Sequence, residues 1–382
     1  MTSYKHLFQR SLAAAPDRLH FAAHSHHLWP DASYLGHQAA WQDAARLADR
    51  KWARVMGEIW PAAQAHVADE LRLPDPDTLV FAGNTHDLLL RIVSARHEHP
   101  LRILTSDGEF HSFRRQAQRW VESGRVTLDI VEQGDDFDTR FLATARKGEH
   151  HLIFISQVMF GTGAIFGALH DLAALARPDG PWVVVDGYHG FMAMESDLSA
   201  VADRIFYLSG GYKYAMSGEG VGFLHCPPGF APRPEITGWY AEFEGLEAPP
   251  GRIGYASDAR RFMGSTFDPS GIYRFVAVRD MLAEEGLTTA AINAHIAPLR
   301  EGLLAGLGGT PLADAELLNP GSDPRARFLA FRSPHAAAWK AALDAQDIVT
   351  DVRGDVLRIG FGLYHDARDV ERMLAALEGL RD

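Results

Sequence analysis

The sequence predicts an α/β fold, a large domain with a mostly parallel mixed sheet flanked by helices, accompanied by a small α+β domain. Three observations predict it. From Thr78 onward, short apolar runs alternate with helical patterns, the rhythm of strands joined by helical crossovers. Two neighbouring runs end on chemistry: Trp182-Val183-Val184-Val185 delivers Asp186, and residues 204–208 deliver Ser209, Tyr212 and Lys213. The chain has 382 residues, too many for one ordinary core and too few for three, so a large domain with a smaller companion is the default.

Taken in order, residues 19–30 read LHFAAHSHHLWP, an extended segment closed by Trp29-Pro30 and carrying His20, His24, His26 and His27. Residues 32–71 place Trp41, Ala45, Leu47, Trp52, Val55, Ile59 and Trp60 at helical spacings, and Pro61 divides them into two helices. Residues 1–60 are expected to contribute to the small domain and to the mouth of the site. A strand at 78–81 leads into Gly83-Asn84-Thr85-His86-Asp87, which opens a helix carrying Leu88, Leu89, Ile92 and Val93. A strand at 101–105 precedes Gly108-Glu109-Phe110-His111-Ser112 and a helix through Trp120. Residues 126–131 and 152–155 are further strands, the second running into Gln157, a glycine-rich turn and a helix near 169–176. The two chemistry-bearing strands follow, with a hairpin-like return at 220–224, so that residues 61–270 form the large domain. Residues 227–269 are rich in Pro and Gly and include Gly238-Trp239-Tyr240, the mark of a long functional loop. Helical patterns at 272–307 and strands at 327–331 and 356–361 make 271–382 the small domain.

Composition excludes several classes. The formal net charge is −12 at pH 7, with no basic stripe, which argues against nucleic acid and anionic membrane as partners. A single cysteine, Cys226, excludes an intrachain disulfide and a cysteine-built zinc site. The first residues lack the apolar core of a signal peptide and no run approaches a membrane span. A soluble, cytoplasmic protein is the expectation.

The carboxyl ends of parallel strands are where open sheets bind ligands, and there this chain gathers an acid and an amine. Lys213, between glycines and apolar strands, is expected in a desolvated pocket that lowers its pKa and makes it a nucleophile and proton carrier. Asp186 at the neighbouring strand end suits a pyridinium nitrogen. The pair matches what pyridoxal phosphate requires, a Schiff-base lysine and a carboxylate that keeps the ring an electron sink. Asp186 read alone also suits a helix cap. His189 is placed to pack on the ring or bond its hydroxyl, and Gln157 to donate to that hydroxyl. Thr85 and His86 open a helix, where free N–H groups and the dipole favour phosphate, and Ser209 and Tyr212 reach the same group. Phe110 is assigned to stack on the ring, with His111 as its competitor. Arg358, a charge inside the apolar run Val356-Leu357-Arg358-Ile359-Gly360-Phe361, needs a partner: a substrate carboxylate or an internal salt bridge. The amino-terminal histidines lack a closed metal-site spacing, so His26 is read as part of a polar mouth and no metal is assigned.

With these residues in place, the chain resembles the class V aminotransferase family of fold-type I pyridoxal-phosphate enzymes, and within it kynureninase. Asp186-Gly187-Tyr188-His189 resembles the kynureninase Asp-x-x-His, Tyr212-Lys213-Tyr214 its Tyr-Lys-Tyr, and Gly238-Trp239-Tyr240 its substrate-facing loop. Arg261-Phe262-Met263-Gly264-Ser265-Thr266 is similar to the segment that reaches the phosphate of the neighbouring subunit's cofactor, and Arg358 resembles the carboxylate-binding arginine. The chain departs from kynureninase at His24-Ser25-His26-His27, where that enzyme has Asn-Ser-Leu-Gly, and at Ala241 and Glu242, near the position of its loop histidine. Cys226 follows the lysine strand directly, unlike the distant loop cysteine of cysteine desulfurase, which argues against that activity.

The resemblance implies a homodimer with the active site at the interface, Thr266 and Trp239 crossing over, and an amino-acid substrate held by Arg358, with Trp239 and His26 beside it. Lys213, displaced from the cofactor by the substrate, takes the Cα proton. Hydrolytic Cβ–Cγ cleavage of the kynureninase kind and transamination of an amino acid or amine both follow from that step. Two rivals come from other classes: a metal-dependent hydrolase using the amino-terminal histidines, and a binding protein that keeps the fold without catalysis.

Overall fold

A computed structural model describes residues 3–243, 251, 253–319 and 326–381. Its main sheet has seven strands, in the spatial order Leu79–Ala82, Gly222–His225, Ile205–Gly210, Trp182–Asp186, Leu152–Ser156, Leu101–Ser106, Val126–Val131. All neighbours run parallel except Gly222–His225, which lies antiparallel to both strands beside it. The central strands are apolar on both faces because helices cover both: every residue of Leu152–Ser156 and Ile205–Gly210 is buried. The edge strand Val126–Val131 exposes Thr127, Asp129 and Ile130 instead.

The expected strands and most expected helices are present. Pro61 does not divide the helices: the chain is helical from Lys51 through a π-helical turn at Val55–Ile59 into Trp60–Leu71, a widened turn that accommodates the missing N–H of proline. The break falls at Ala48, whose φ is 51°. The helix Phe137–Ala145 was not foreseen, its nine residues lying in a polar stretch. Helices Asp31–Leu47 and Ser270–Glu284 pack together through Gly36, whose absent side chain lets the backbone of Tyr273 approach. Tyr273 donates to Asp43 across this contact at 2.9 Å.

The small sheet is antiparallel, in the order Asp351–Arg353, Val356–Gly360, Phe328–Arg332, Glu316–Leu317. The amino-terminal strand Leu19–His20 pairs parallel with Ile348–Val349, and Ala22 bridges to Gly360. The chain start is thereby stitched to the carboxyl-terminal sheet, which delivers His24 to the seam between the two sheets. Gly360 is required there, because any Cβ on it would strike the His24 ring. No helix among the described residues is long and apolar enough to cross a membrane.

Candidate active site

A cavity of 1290 Å³ opens at the carboxyl ends of the parallel strands, lined by Thr85, His86, Phe110, His111, Ser156, Phe160, Asp186, Tyr188, His189, Tyr212 and Lys213, among others. The topology puts it there: strands ending at Ser106, Ser156, Asp186 and Gly210 share one edge.

Lys213 is 5% exposed. Its Nζ lies 3.0 Å from His189 Nε2 and 4.9 Å from the Tyr188 ring centre, 5.4 Å from that of Phe110 and 5.6 Å from that of Tyr212. Burial inside this aromatic box lowers its pKa to about 7, against the pull of Asp186 and aided by Arg358 and Arg353. Asp186 Oδ1 accepts the Tyr188 N–H at 2.9 Å. Burial pushes its carboxyl upward, while that hydrogen bond and Lys213 hold it down. Burial, reinforced by Lys213 and Arg358, drives the His189 imidazole well below its usual range, so the ring is neutral and can accept from the amine.

At the opposite end, the helix Thr85–Ser94 is capped by Asn84, whose side chain accepts from the Asp87 N–H at 2.9 Å. The N–H groups of its first turn have no intrahelical acceptor. The strand Gly222–His225 runs close beneath: a Cβ on Gly222 would lie 2.7 Å from the Asn84 carbonyl carbon and 2.8 Å from the Thr85 nitrogen. His86 Nδ1 and Thr105 Oγ1, both in the cavity wall, are buried without a hydrogen-bond partner.

The structure brings Lys213, Asp186, His189, Thr85, His86, Phe110 and Tyr212 together, and it turns two expected contacts away. Gln157 Oε1 accepts from Tyr207 at 2.8 Å and its Nε2 donates to Ser196 at 2.9 Å. Ser209 Oγ reaches the Gly187 carbonyl at 3.4 Å. Side chains alternate along a strand, and since Ser156 and Leu208 face the cavity, Gln157 and Ser209 face the far side. Arg358 is buried on the carboxylate of Asp351 and the carbonyl of Phe160. Thr266 is exposed and Trp239 is 39% exposed, both outside the cavity of the single chain. His26 stacks on Tyr212 at 5.0 Å, at the mouth.

The amino-terminal histidines do not converge. His20 pairs with Tyr364 at 2.6 Å, His27 with the Leu28 carbonyl, and His24 stacks on Phe328. Among the described residues no group of three or more His, Cys, Asp or Glu is disposed to hold a metal ion. Cys226 is buried against the Arg261 guanidinium at 2.8 Å.

Glu109 was not foreseen as part of the site. Fully buried, it accepts from Ser106 Oγ at 2.6 Å, Ser156 Oγ at 2.5 Å and the Ser156 N–H at 3.3 Å. It ties two strand ends beneath the cavity. Its one signal in the sequence is a carboxylate following a glycine turn, which surface loops share.

These features suit pyridoxal phosphate: a buried amine, a carboxylate with a free oxygen, a helix start with open donors, and unpartnered polar atoms in the wall. The comparisons agree. A sequence profile of the aminotransferase class-V family matches residues 45–373. The chain is similar to isopenicillin N epimerase of Streptomyces clavuligerus, 30% identical over 80% of this chain and 81% of that one, and of Amycolatopsis lactamdurans, 27% identical with the same coverage. Among solved structures it superposes on the cystine C–S lyase C-DES with a TM-score of 0.81 at 20% identity, over 96% of this chain and 99% of that one. The cysteine desulfurase CsdA of Escherichia coli gives a TM-score of 0.81 at 17% identity, over 99% and 98%; at such identities the likeness is one of fold. On the profile match and the 30% identity, the chain belongs to the aminotransferase class-V family of pyridoxal-phosphate enzymes.

Proposed function

We propose that this enzyme labilises the Cα–H bond of an amino acid, with Lys213 as cofactor anchor and as the base that moves the Cα proton. One observation carries the reading: among the described residues, the only lysine in the cavity wall has its amine within reach of a neutral histidine, beside a buried carboxylate, with its pKa lowered to about 7. An amine with that pKa both accepts and returns a proton near neutral pH. Pyridoxal phosphate, when bound, supplies the electron sink for the pair left at Cα.

The residues divide the remaining work. Asp186 would hold the pyridine nitrogen, Phe110 would cover the ring, and Thr85, His86 and Tyr212 would hold the phosphate. His189 takes the hydrogen bond of the Lys213 amine and keeps it aimed. Arg358 would receive the substrate carboxylate, near His26 and Trp239 at the mouth. The exposed Thr266 supports a homodimer in which it completes the partner's site.

The step after Cα–H cleavage is hydrolytic Cβ–Cγ cleavage on the likeness of Asp186, His189 and Tyr212-Lys213-Tyr214 to kynureninase. Epimerisation is the second reading, favoured by two relatives of that name. The test is incubation of the purified protein with an amino-acid panel in D2O. We expect a visible absorption band that borohydride abolishes, and deuterium at Cα by NMR, both lost in Lys213→Ala. Alanine as a product marks Cβ–Cγ cleavage, a D-amino acid epimerisation, and a keto acid transamination. A protein that stays colourless with added pyridoxal phosphate overturns the proposal.

A further inference from the structure

Arg358, the arginine assigned to the substrate carboxylate, already holds a carboxylate in this structure. Its Nη2 donates to Asp351 Oδ2 and its Nη1 to the Phe160 carbonyl. Phe160 lines the cavity, so the guanidinium sits directly behind the cavity wall. Asp351 and Arg358 are cross-strand partners in the small sheet, and Arg353 points to the same face two residues along. Arg353 Nη1 donates to the other Asp351 oxygen at 2.6 Å. His24 Nε2 stands 3.6 Å from Asp351 Oδ2, and both of its ring nitrogens are buried without a hydrogen-bond partner.

One carboxylate therefore serves two arginines. The inner one, Arg358, has a side chain 2% exposed; the outer one, Arg353, is 38% exposed. That asymmetry decides what Asp351 can do. Removing one partner from a buried ion pair ordinarily strands the other charge, which is strongly unfavourable. Asp351 is not stranded when Arg358 leaves it, because the Arg353 guanidinium remains on it at 2.6 Å.

We propose that Asp351 is an internal competitor for the substrate-carboxylate seat: it occupies Arg358 while the seat is vacant, moves onto Arg353 when a carboxylate ligand arrives, and so sets both the affinity of the enzyme for carboxylates and its discrimination against uncharged ligands. The inference rests on Arg358 as the carboxylate-binding residue of the proposed function. A purely structural ion pair makes the opposite forecast, since disrupting it would loosen the wall and weaken every ligand.

The test uses the cofactor-loaded enzyme and propionate, with propionamide as its uncharged isostere, titrated by calorimetry. Asp351→Asn, nearly isosteric, is expected to bind propionate about tenfold more tightly, equivalent to about 1.4 kcal/mol, with propionamide unmoved. Arg353→Gln deprives Asp351 of its alternative partner and is expected to weaken propionate about tenfold. Arg358→Gln should abolish the difference between wild type and Asp351→Asn. Propionate bound no more tightly by folded Asp351→Asn overturns the proposal. Should that variant fail to fold, unchanged affinity in Arg353→Gln overturns it. If the visible band and Cα exchange are present while propionate affinity ignores both substitutions, only this inference fails; absence of the band is a failure of the proposed function instead.

Discussion

Lys213 concentrates the electrostatics of the site in one atom. Its Nζ is enclosed by Phe110, Tyr188, Tyr212 and His189, faces the carboxylate of Asp186, and feels the cations of Arg358 and Arg353. Desolvation outweighs the attraction of Asp186, so in the cofactor-free protein the amine is charged below about pH 7 and free above it. Its labelling by trinitrobenzenesulfonate, followed on the Lys213 peptide by mass spectrometry, should rise about tenfold per pH unit up to that point and then level off. An ordinary solvated lysine should still be climbing at about pH 9. A midpoint near 10 for Lys213 would refute the pocket's effect. Lys213 and Asp186 were legible in the sequence because an apolar run announces a buried strand and its last polar residue lies at the ligand edge. Gln157 and Ser209 were misjudged for a related reason. Both sit at strand ends, but a strand buried on both faces carries no polar–apolar alternation to say which face a side chain takes.

At the scale of elements, the helix start proposed to hold the phosphate depends on how closely a strand approaches it. Gly222 permits that approach, for a Cβ there would press on the backbone at Asn84 and Thr85. Gly222→Ala should displace the first turn of the helix Thr85–Ser94, destabilise the fold by about 1–3 kcal/mol and weaken pyridoxal-phosphate binding at least about tenfold; equilibrium dialysis and urea unfolding would measure the two. The Glu109 brace yields a pH signature. Burial pushes this carboxyl from 4.5 to about 7, its serine hydrogen bonds opposing the shift. A carboxyl whose folded pKa is raised contributes stability at low pH and loses it as pH rises through the folded value. In urea unfolding, the margin of wild type over Glu109→Gln should therefore shrink from pH 4.5 to about 7 and be flat beyond. A margin that grows over that interval would contradict a protonatable brace. The short strands Leu19–His20, Ile348–Val349 and Asp351–Arg353 escaped the sequence reading because two or three residues are too few to display a period of two. Arg353 and Asp351 were missed with them.

For the molecule as a whole, the alternation of strands and helices was enough to place the large sheet, whereas the seam between the sheets was not, because the Leu19–His20 pairing joins residues more than three hundred positions apart. The single chain also leaves apolar surface uncovered: Trp41 is 71% exposed and Leu35 59%, on the helix Asp31–Leu47, and Phe243 is 52% exposed beside Trp239. Such surface, together with the exposed Thr266, argues for a homodimer. Sedimentation should therefore give twice the chain's mass. The stronger prediction concerns which chain completes which site. If Thr266 serves the partner's phosphate, Lys213→Ala and Thr266→Glu homodimers should both be impaired, each for a different reason. Refolding the two variants together should then restore activity, because the hybrid contains one site with an intact lysine from one chain and an intact threonine from the other. Random assortment sets the recovery at about a quarter of the wild-type sites. If Thr266 instead served its own chain, neither site of the hybrid would be complete. Mixing would then return only the average of the two separate variants.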